Sequence, residues 1–286
     1  MKIGDVSLNV SDLARSLEFY QSILGFKTIG KSSKERALLS VNGRNVSHLL
    51  ELVQVQADQV SPNPHVGAKR AGLYHFAILL PERKFLADML RNLREKRHKV
   101  HFDGLTDHLV SESIYIRDPD FNGIEIYRDR PASEWRWDGS EIEMSTIPLD
   151  TDDLSKESTE KGWKEMPVGT TLGHVHLHVR NIAAAKKFYN EILGLNLTAE
   201  FPGAAFFAAS NYHHHIAGNT WLGTGIAPAS PNYLGLNHFS IELSTKVELT
   251  ALKKQLALNN VGIIDESERS LFVQDMDGIS VLIRHR

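Results

Sequence analysis

The chain of 286 residues is long enough for one large domain or two of average size, and its 42% hydrophobic and 23% charged residues are typical of globular proteins. Its 32 Lys and Arg against 35 Asp and Glu give a net charge of -3, which excludes an electrostatic preference for nucleic acid or an anionic membrane. The absence of cysteine excludes disulfides, thiolate nucleophiles and iron–sulfur clusters, so any metal must be held by nitrogen and oxygen atoms.

The N-terminal residues lack the apolar block of a signal peptide, and no stretch reaches the roughly 20 apolar residues of a membrane span. We therefore expect a soluble, cytoplasmic protein. Its expected partners are small molecules, with neither nucleic acid nor a membrane among them. A homo-oligomer is possible, because symmetric assembly is common among soluble proteins.

One supersecondary unit recurs along the chain. It begins with an alternating, strand-like stretch that leads into a helical stretch carrying Phe-Tyr and ending at Leu-Gly, and this pattern occurs at residues 4–26 and 173–195. A similar strand and amphipathic helix occur at 72–93 and 235–256. Each unit continues with short β-rich runs, so the sequence predicts four βαβββ modules.

The polar and acidic segment between the second and third modules is interpreted as a long connection rather than a fifth module. We accordingly predict modules one and two over residues 1–130, a linker over 131–170, and modules three and four over 171–286.

The repeat resembles the vicinal-oxygen-chelate superfamily, which comprises glyoxalase I, bleomycin-resistance proteins and extradiol ring-cleaving dioxygenases. The resemblance to catechol 2,3-dioxygenases of the Bacillus type is strongest in the stretches GLYHFAILLP (72–81), DFNGIEIYRDRP (120–131), GHVHLHV (173–179) and YHHHIAGNTW (212–221). It implies an α+β fold in which four βαβββ modules pair into two cup-shaped half-barrels.

The resemblance also implies a divalent metal held by a histidine in the first strand of each paired module and a glutamate near the end of the second. Two histidines and one carboxylate leave coordination positions open for substrates. Modules three and four supply His174 and His238, but Leu282 stands at the glutamate position and Phe272 at that of an active-site tyrosine. Module one has Asp5 where module three has its first-strand histidine.

A complete set of site residues arises if modules two and three face each other. His75, Glu125 and His174 would then be the metal ligands, with Tyr115 and His214 as catalytic residues beside the metal. The expected metal is Fe(II), with Mn(II) as a possible replacement. Modules one and four would form a second cup, degenerate as an iron site, from Asp5, His48, His238, Phe272 and Leu282.

Several neighbouring histidines have other interpretations. His176 and His178 lie on the same strand face as the predicted ligand of that strand, and we interpret them as residues that line the pocket or support the metal ligands from behind. A strand over the histidine run would place His214 on the opposite face from His213 and His215, so an error of one residue would exchange the catalytic histidine for a neighbour. We treat the two histidines of the second cup as structural, with a vestigial site as the alternative.

The implied function is an extradiol ring-cleaving dioxygenase of aromatic catabolism that acts on catechol or a substituted catechol, with O2 as the second substrate. His214 would accept a substrate proton and Tyr115 would hydrogen-bond a substrate oxygen. Phe206, Phe207 and Trp221 are candidates for the wall of an aromatic pocket.

Two alternatives remain open at this point. A metal-dependent lyase or isomerase of the glyoxalase type usually has four protein ligands, often with two carboxylates, whereas module three offers a histidine. A non-catalytic binding protein of the bleomycin-resistance type needs no metal at all.

Overall fold

The computed structural model of the chain describes residues 1–30, 33–41, 43, 48–56, 69–231 and 233–285. Several helices begin where the sequence supplies a side chain that caps the first turn. Asp12 and Asn181 each accept a hydrogen bond from a backbone N–H, and Thr245 forms a reciprocal capping box with Glu248. The helices are α1 (Leu13–Glu18), α2 (Arg83–Glu95), α3 (Thr151–Lys156), α4 (Ile182–Ala185) and α5 (Lys246–Leu258).

The repeated Phe-Tyr pair lies in a π-helical extension of α1 and of α4, and it joins each helix to the sheet of the next module. The hydroxyl of Tyr20 donates to Asp118 over 2.9 Å, and that of Tyr189 donates to Asp275 over 2.8 Å. These bonds satisfy buried hydroxyls and explain why the tyrosine recurs. The extensions cover Phe19–Ile23 and Lys186–Ile192.

The strands of modules one and two follow the predicted order. They are β1 (Lys2–Val10), β2 (Lys27–Ile29), β3 (Arg36–Ser40), β4 (Leu50–Gln54), β5 (Gly72–Leu79), β6 (His101–Asp107), β7 (Ser111–Arg117) and β8 (Gly123–Asp129).

The second half repeats this order after three short strands between the modules. The remaining strands are β9 (Trp137–Asp138), β10 (Glu141–Ile142), β11 (Ile147–Pro148), β12 (Thr171–His178), β13 (Asn196–Phe201), β14 (Ala204–Ala208), β15 (Ile216–Asn219), β16 (Gly235–Leu243), β17 (Ile263–Glu266), β18 (Ser270–Gln274) and β19 (Ser280–His285).

The four modules pair across the two halves of the sequence. One sheet has the order β17-β18-β19-β16-β1-β4-β3-β2 and joins modules four and one, whereas the other has the order β11-β6-β7-β8-β5-β12-β15-β14-β13 and joins modules two and three. Antiparallel pairing of β1 with β16 and of β5 with β12 forms the two junctions. The α+β fold of four modules in two half-barrels is therefore confirmed.

This pairing bears on the predicted division of the chain. Each sheet takes one module from residues 1–130 and one from residues 171–286, so neither half contains a complete large sheet of its own. The division into modules one and two, a linker, and modules three and four therefore stays a prediction that rests on the repeats in the sequence.

The segment between the modules is ordered and belongs to the packed structure. Strand β11 pairs with the edge strand β6, and Leu154 of α3 and Met166 are buried in the hydrophobic core. The side chain of Arg83 at the start of α2 binds Asp153 at 2.9 Å. The segment is not a fifth module, but it closes one edge of the sheet that joins modules two and three.

No helix in the described ranges is long and apolar enough to cross a membrane.

Candidate metal centre

The candidate ligands lie on three adjacent strands of one sheet. In the ladder, Ala77 of β5 pairs with Glu125 of β8 on one side and with His174 of β12 on the other. Directly paired residues point to the same face, and so does His75, two residues before Ala77. Ala77 contributes only a methyl group, which leaves the space above it to the three larger side chains.

The ligand atoms of this group converge within the sheet's concave face. Nε2 of His174 lies 2.8 Å from Oε2 of Glu125, and Nε2 of His75 lies 3.1 Å from the same oxygen. All three residues are buried, and one ligand atom of each lies within 4.8 Å of the others. The other carboxylate oxygen, Oε1, accepts a hydrogen bond of 2.6 Å from the hydroxyl of Ser113. Ser113 thus fixes the carboxylate with Oε2 towards the imidazoles.

The donor set fits a divalent metal. Metal–ligand bonds of about 2.1 Å at right angles separate neighbouring ligand atoms by about 3.0 Å, which lies between the two separations seen here. Nε2 of His75 is buried and forms no hydrogen bond with any residue that the structure describes. Such an atom costs free energy unless something binds it, and a cation shared with Glu125 would do so.

The electrostatics favour the protonation states that a metal needs. Burial by itself raises the pKa of Glu125, but the His174 and His75 imidazoles outweigh it and hold that pKa well below its ordinary value. Burial lowers the pKa of His174 to about 4, although Glu125 acts in the opposite direction. An ionised carboxylate and a neutral imidazole bind a cation without net loss of a proton, because the proton that Nε2 of His174 donates to Glu125 can be carried by Nδ1 instead.

Tyr115 is held by a histidine that the sequence analysis missed. Nδ1 of His108 lies 2.7 Å from the backbone carbonyl of Ser145 and therefore carries the proton, which leaves Nε2 to accept from the Tyr115 hydroxyl at 2.8 Å. Burial raises the pKa of Tyr115 well above its ordinary value, and the charge of Glu125 adds to the effect. His108 follows β6, and only the antiparallel pairing of β6 with β7 brings it to the tyrosine.

His214 lines the cavity, but the predicted strand at this position is wrong. Residues 209–215 form an irregular loop between β14 and β15, so the expected alternation of faces does not apply. The rings of His213 and His214 lie side by side, with their Nδ1 atoms 2.8 Å apart. The His214 ring centroid is 4.1 Å from that of His174, whereas Nδ1 of His215 accepts from the backbone N–H of Ala209.

The other histidines of β12 are linked by Asn219, a second residue that sequence reasoning missed. Its side-chain amide donates to Nε2 of His176, and its carbonyl oxygen accepts from Nδ1 of His178, both at 2.9 Å. His176 also lines the cavity, so its predicted place in the pocket is confirmed. Asn219 lies on β15, directly opposite His178 in the parallel ladder.

The cavity around these residues has a volume of about 510 Å³ and mainly apolar walls. Phe206 and Trp221 line it as predicted, but Phe207 points to the other face of β14 and packs against Tyr189, so the prediction for Phe207 is wrong. Apolar wall residues are Val110, Ile116, Ile124, Met144, Phe201, Phe206 and Trp221.

In the other sheet a cation lies beside the equivalent positions. Arg284 forms ion pairs with Asp5 and Glu242, while Asp5 also lies 3.5 Å from His48 and 4.0 Å from His238. The guanidinium of Arg284 pairs with the carboxylate of Asp5, which is then not free to bind a metal. In the described residues, the second cup therefore holds an ion-pair network in which Asp5 and Glu242 are buried and Arg284 is 27% exposed.

Strand register explains the loss of the other ligand in this cup. Phe272 pairs with Leu282 in the same way as Tyr115 pairs with Glu125. The apolar pair thus replaces a phenol and a carboxylate at equivalent positions.

Comparisons with known proteins agree with this architecture. The sequence model of the Glyoxalase/Bleomycin resistance protein/Dioxygenase superfamily matches residues 2–126 and 171–281. The chain is 38% identical over 277 residues to "Catechol-2,3-dioxygenase" of Bacillus subtilis (strain 168), covering 96% of this chain and 93% of that protein.

Two solved structures share the fold at low sequence identity. The CppA protein of Streptococcus pneumoniae has a TM-score of 0.61 at 11% identity, with 100% of this chain and 99% of that chain covered. Glyoxalase I of Zea mays has a TM-score of 0.56 at 16% identity, with 99% and 92% covered.

Proposed function

We propose that this chain, which belongs to the glyoxalase/bleomycin resistance protein/dioxygenase superfamily, is an extradiol dioxygenase that opens the ring of catechol or a substituted catechol with Fe(II) and O2. The observation that carries this proposal is the convergence of His75, Glu125 and His174 in one cavity. The relative from Bacillus subtilis supports the choice of a catechol as substrate.

The chemistry supplied by a bound Fe(II) is the redox reaction between the aromatic ring and dioxygen. The chain holds the reactants and moves protons. Burial lowers the pKa of His214 well below its ordinary value, with the neighbouring His174 and His213 adding to the effect. A neutral His214 is able to accept a proton from a substrate hydroxyl. Tyr115, fixed by His108, lies on the other side of the candidate ligands as a hydrogen-bonding partner for a substrate oxygen.

The cavity walls indicate which catechols fit. Its volume of about 510 Å³ leaves room for a ring with a substituent, and most of its wall is apolar. Arg117 lies at the wall but is paired with Asp103 at 2.6 Å, so its charge is already compensated. Because an unpaired anion would lose hydration without gaining a free cationic partner, the cavity favours uncharged substituents.

The test begins with anaerobic loading with Fe(II), measurement of bound iron, and oxygen-uptake assays. We expect uptake with catechol and an alkyl-substituted catechol, weaker uptake with a carboxylate-bearing catechol, and a ring-opened semialdehyde containing both oxygen atoms. His75→Ala should lose both iron and activity. His238→Ala, at the equivalent position of the other module pair, is the matched control and should retain both.

Other outcomes would reject the proposal. If the wild type binds no metal and consumes no oxygen, the chain is a binding protein of the bleomycin-resistance type. Product formation without oxygen consumption would indicate a lyase or isomerase. Equal loss of iron in His75→Ala and His238→Ala would show that the candidate ligands have no special role.

A further inference from the structure

We propose that Asp129 and His213 are positioning residues for His214, fixing its tautomer and ring orientation so that a bare Nε2 faces the cavity. The inference rests on the proposed function, in which His214 accepts a substrate proton. It adds two residues, neither of which is a candidate ligand or lines the cavity.

The three side chains form a continuous hydrogen-bonded series. Oδ1 of Asp129 lies 2.9 Å from Nε2 of His213, and Nδ1 of His213 lies 2.8 Å from Nδ1 of His214. His213 is fully buried at 0% exposure, whereas the Asp129 side chain is 21% exposed. The series therefore runs from the protein surface, through an enclosed imidazole, to the cavity.

The chemistry of the groups gives the series a direction. A carboxylate only accepts hydrogen bonds, so the proton between Asp129 and His213 belongs to Nε2 of His213. A neutral His213 then has a bare Nδ1, which accepts from an Nδ1–H of His214. The remaining nitrogen of His214, Nε2, carries no proton in this tautomer. It is the nitrogen able to take a proton from a bound substrate.

The carboxylate at the outer end is itself held in place. Its second oxygen accepts a hydrogen bond of 2.9 Å from the Tyr212 hydroxyl, which lies 2.8 Å from the hydroxyl of Tyr127. The ring of Trp135 packs edge-on against His213, with centroids 5.3 Å apart. Asp129 is the last residue of β8, the strand that also supplies Glu125. The acceptor and the candidate ligand are consequently placed by the same strand.

The substitution Asp129→Asn distinguishes two roles of Asp129, which are fixing the tautomer of His214 and only stabilising the loop that carries it. Asp129→Asn preserves the shape, and if its amide oxygen continues to accept from the Tyr212 hydroxyl, its NH2 group faces Nε2 of His213 and donates to it. The His213 proton would move to Nδ1, which would then donate to His214. Nε2 of His214 would become the protonated nitrogen and would no longer accept a proton from the substrate.

The test combines a spectroscopic readout with kinetics. In zinc-loaded protein labelled with 15N-histidine, NMR of the ring nitrogens should show His214 protonated at Nδ1 in the wild type and at Nε2 in Asp129→Asn. With iron-loaded enzyme and catechol, Asp129→Asn should lower kcat by about 100-fold, within the range of general base catalysis, and change KM by less than about threefold. His215→Gln, in the same loop but turned away from the cavity, is the matched control and should change neither readout.

If Asp129→Asn does not fold, the NMR spectrum of the wild type still tests the inference. Protonation of His214 at Nε2 in the wild type would overturn it, and so would an unchanged tautomer or an unchanged kcat in the folded variant. Because the spectrum needs no turnover, absence of ring cleavage in the wild type would reject the proposed function and leave the tautomer assignment to be judged separately.

Discussion

Gly173 at the start of the GHVHLHV strand is a position where a single methyl group should disrupt the candidate site. A Cβ at this residue would lie 1.6 Å from the hydroxyl oxygen of Tyr127 and 2.7 Å from its Cζ. Since such contacts are essentially never shorter than 3.0 Å, the ring of Tyr127 must retreat by about 1.4 Å or strand β12 must shift.

The cost of Gly173→Ala follows from this displacement. Overpacking a dense interior costs about 1–3 kcal/mol, and separating the buried hydroxyl of Tyr127 from Tyr212 adds about 1–3 kcal/mol. We therefore expect the free energy of unfolding to fall by about 2–6 kcal/mol. Because β12 also carries His174, metal affinity should fall as well.

Urea denaturation followed by circular dichroism measures this effect. Gly262→Ala is the matched control, because a Cβ at Gly262 meets nothing within 4 Å and the residue needs no positive φ. Adding Tyr127→Phe to Gly173→Ala removes the oxygen at 1.6 Å and leaves only the milder overlap with Cζ at 2.7 Å, so the double variant should lose less stability than the two single variants together. Strict additivity, or a Gly173→Ala protein as stable as the wild type, would refute the reasoning.

Three further predictions concern single side chains. Ser113→Ala removes the 2.6 Å hydrogen bond to Glu125 and should weaken metal binding about 10- to 100-fold, measured by competition with a chelator. Tyr115→Phe should lower kcat about tenfold or more in the oxygen-uptake assay without loss of bound iron, because the phenol holds substrate rather than metal; loss of iron would contradict this role. The pKa of Asp5 is lowered to about 2, because His48, Ser240 and Arg284 outweigh the opposing effect of burial. Ionised Asp5 therefore contributes about 2 kcal/mol to the free energy of unfolding at pH values above about 4, its pKa in the unfolded chain. This contribution is lost as the pH falls towards 2, and about half of it is lost at pH 3. The loss of stability between pH 6 and pH 3, measured by urea denaturation, should be about 1 kcal/mol larger in the wild type than in Asp5→Asn.

The outcome for the histidine run shows where reasoning from local pattern reaches its limit. Three adjacent histidines between apolar residues favour a strand, yet residues 209–215 form a loop. The reason is tertiary, because Nε2 of His213 is held by Asp129, 84 positions away along the chain. Contacts of this kind have no periodicity that a single sequence displays.

The connecting segment gives a similar lesson. Its polar and acidic composition predicts a long connection, and much of the segment is exposed. Met144, Ser145 and Thr146 nevertheless line the cavity, and the Ser145 carbonyl sets the tautomer of His108. These residues have no hydrophobic pattern in the sequence, but the pairing of β11 with the edge strand β6 places them at the wall of the cavity.

The amino-acid sequence by itself determined the local units of this protein. Hydrophobic periodicity and internal repetition specify each βαβββ module, because the strand and helix periods are properties of neighbouring residues. The resemblance to known dioxygenases then indicated which residue types to seek, among them His75, Glu125 and His174.

The sequence favoured the pairing of modules two and three only through the set of site residues that this pairing completes, and the tertiary structure decided that these modules share a sheet. Strand β5 pairs with β12 rather than with β1, and this junction brings His174 to within 2.8 Å of Glu125, 49 positions away. The same pairing leaves Asp5 with Arg284 in the other sheet. Strand edges offer similar backbone hydrogen bonds to any partner, so the choice depends on how whole surfaces of side chains pack, and that information is distributed over the entire chain.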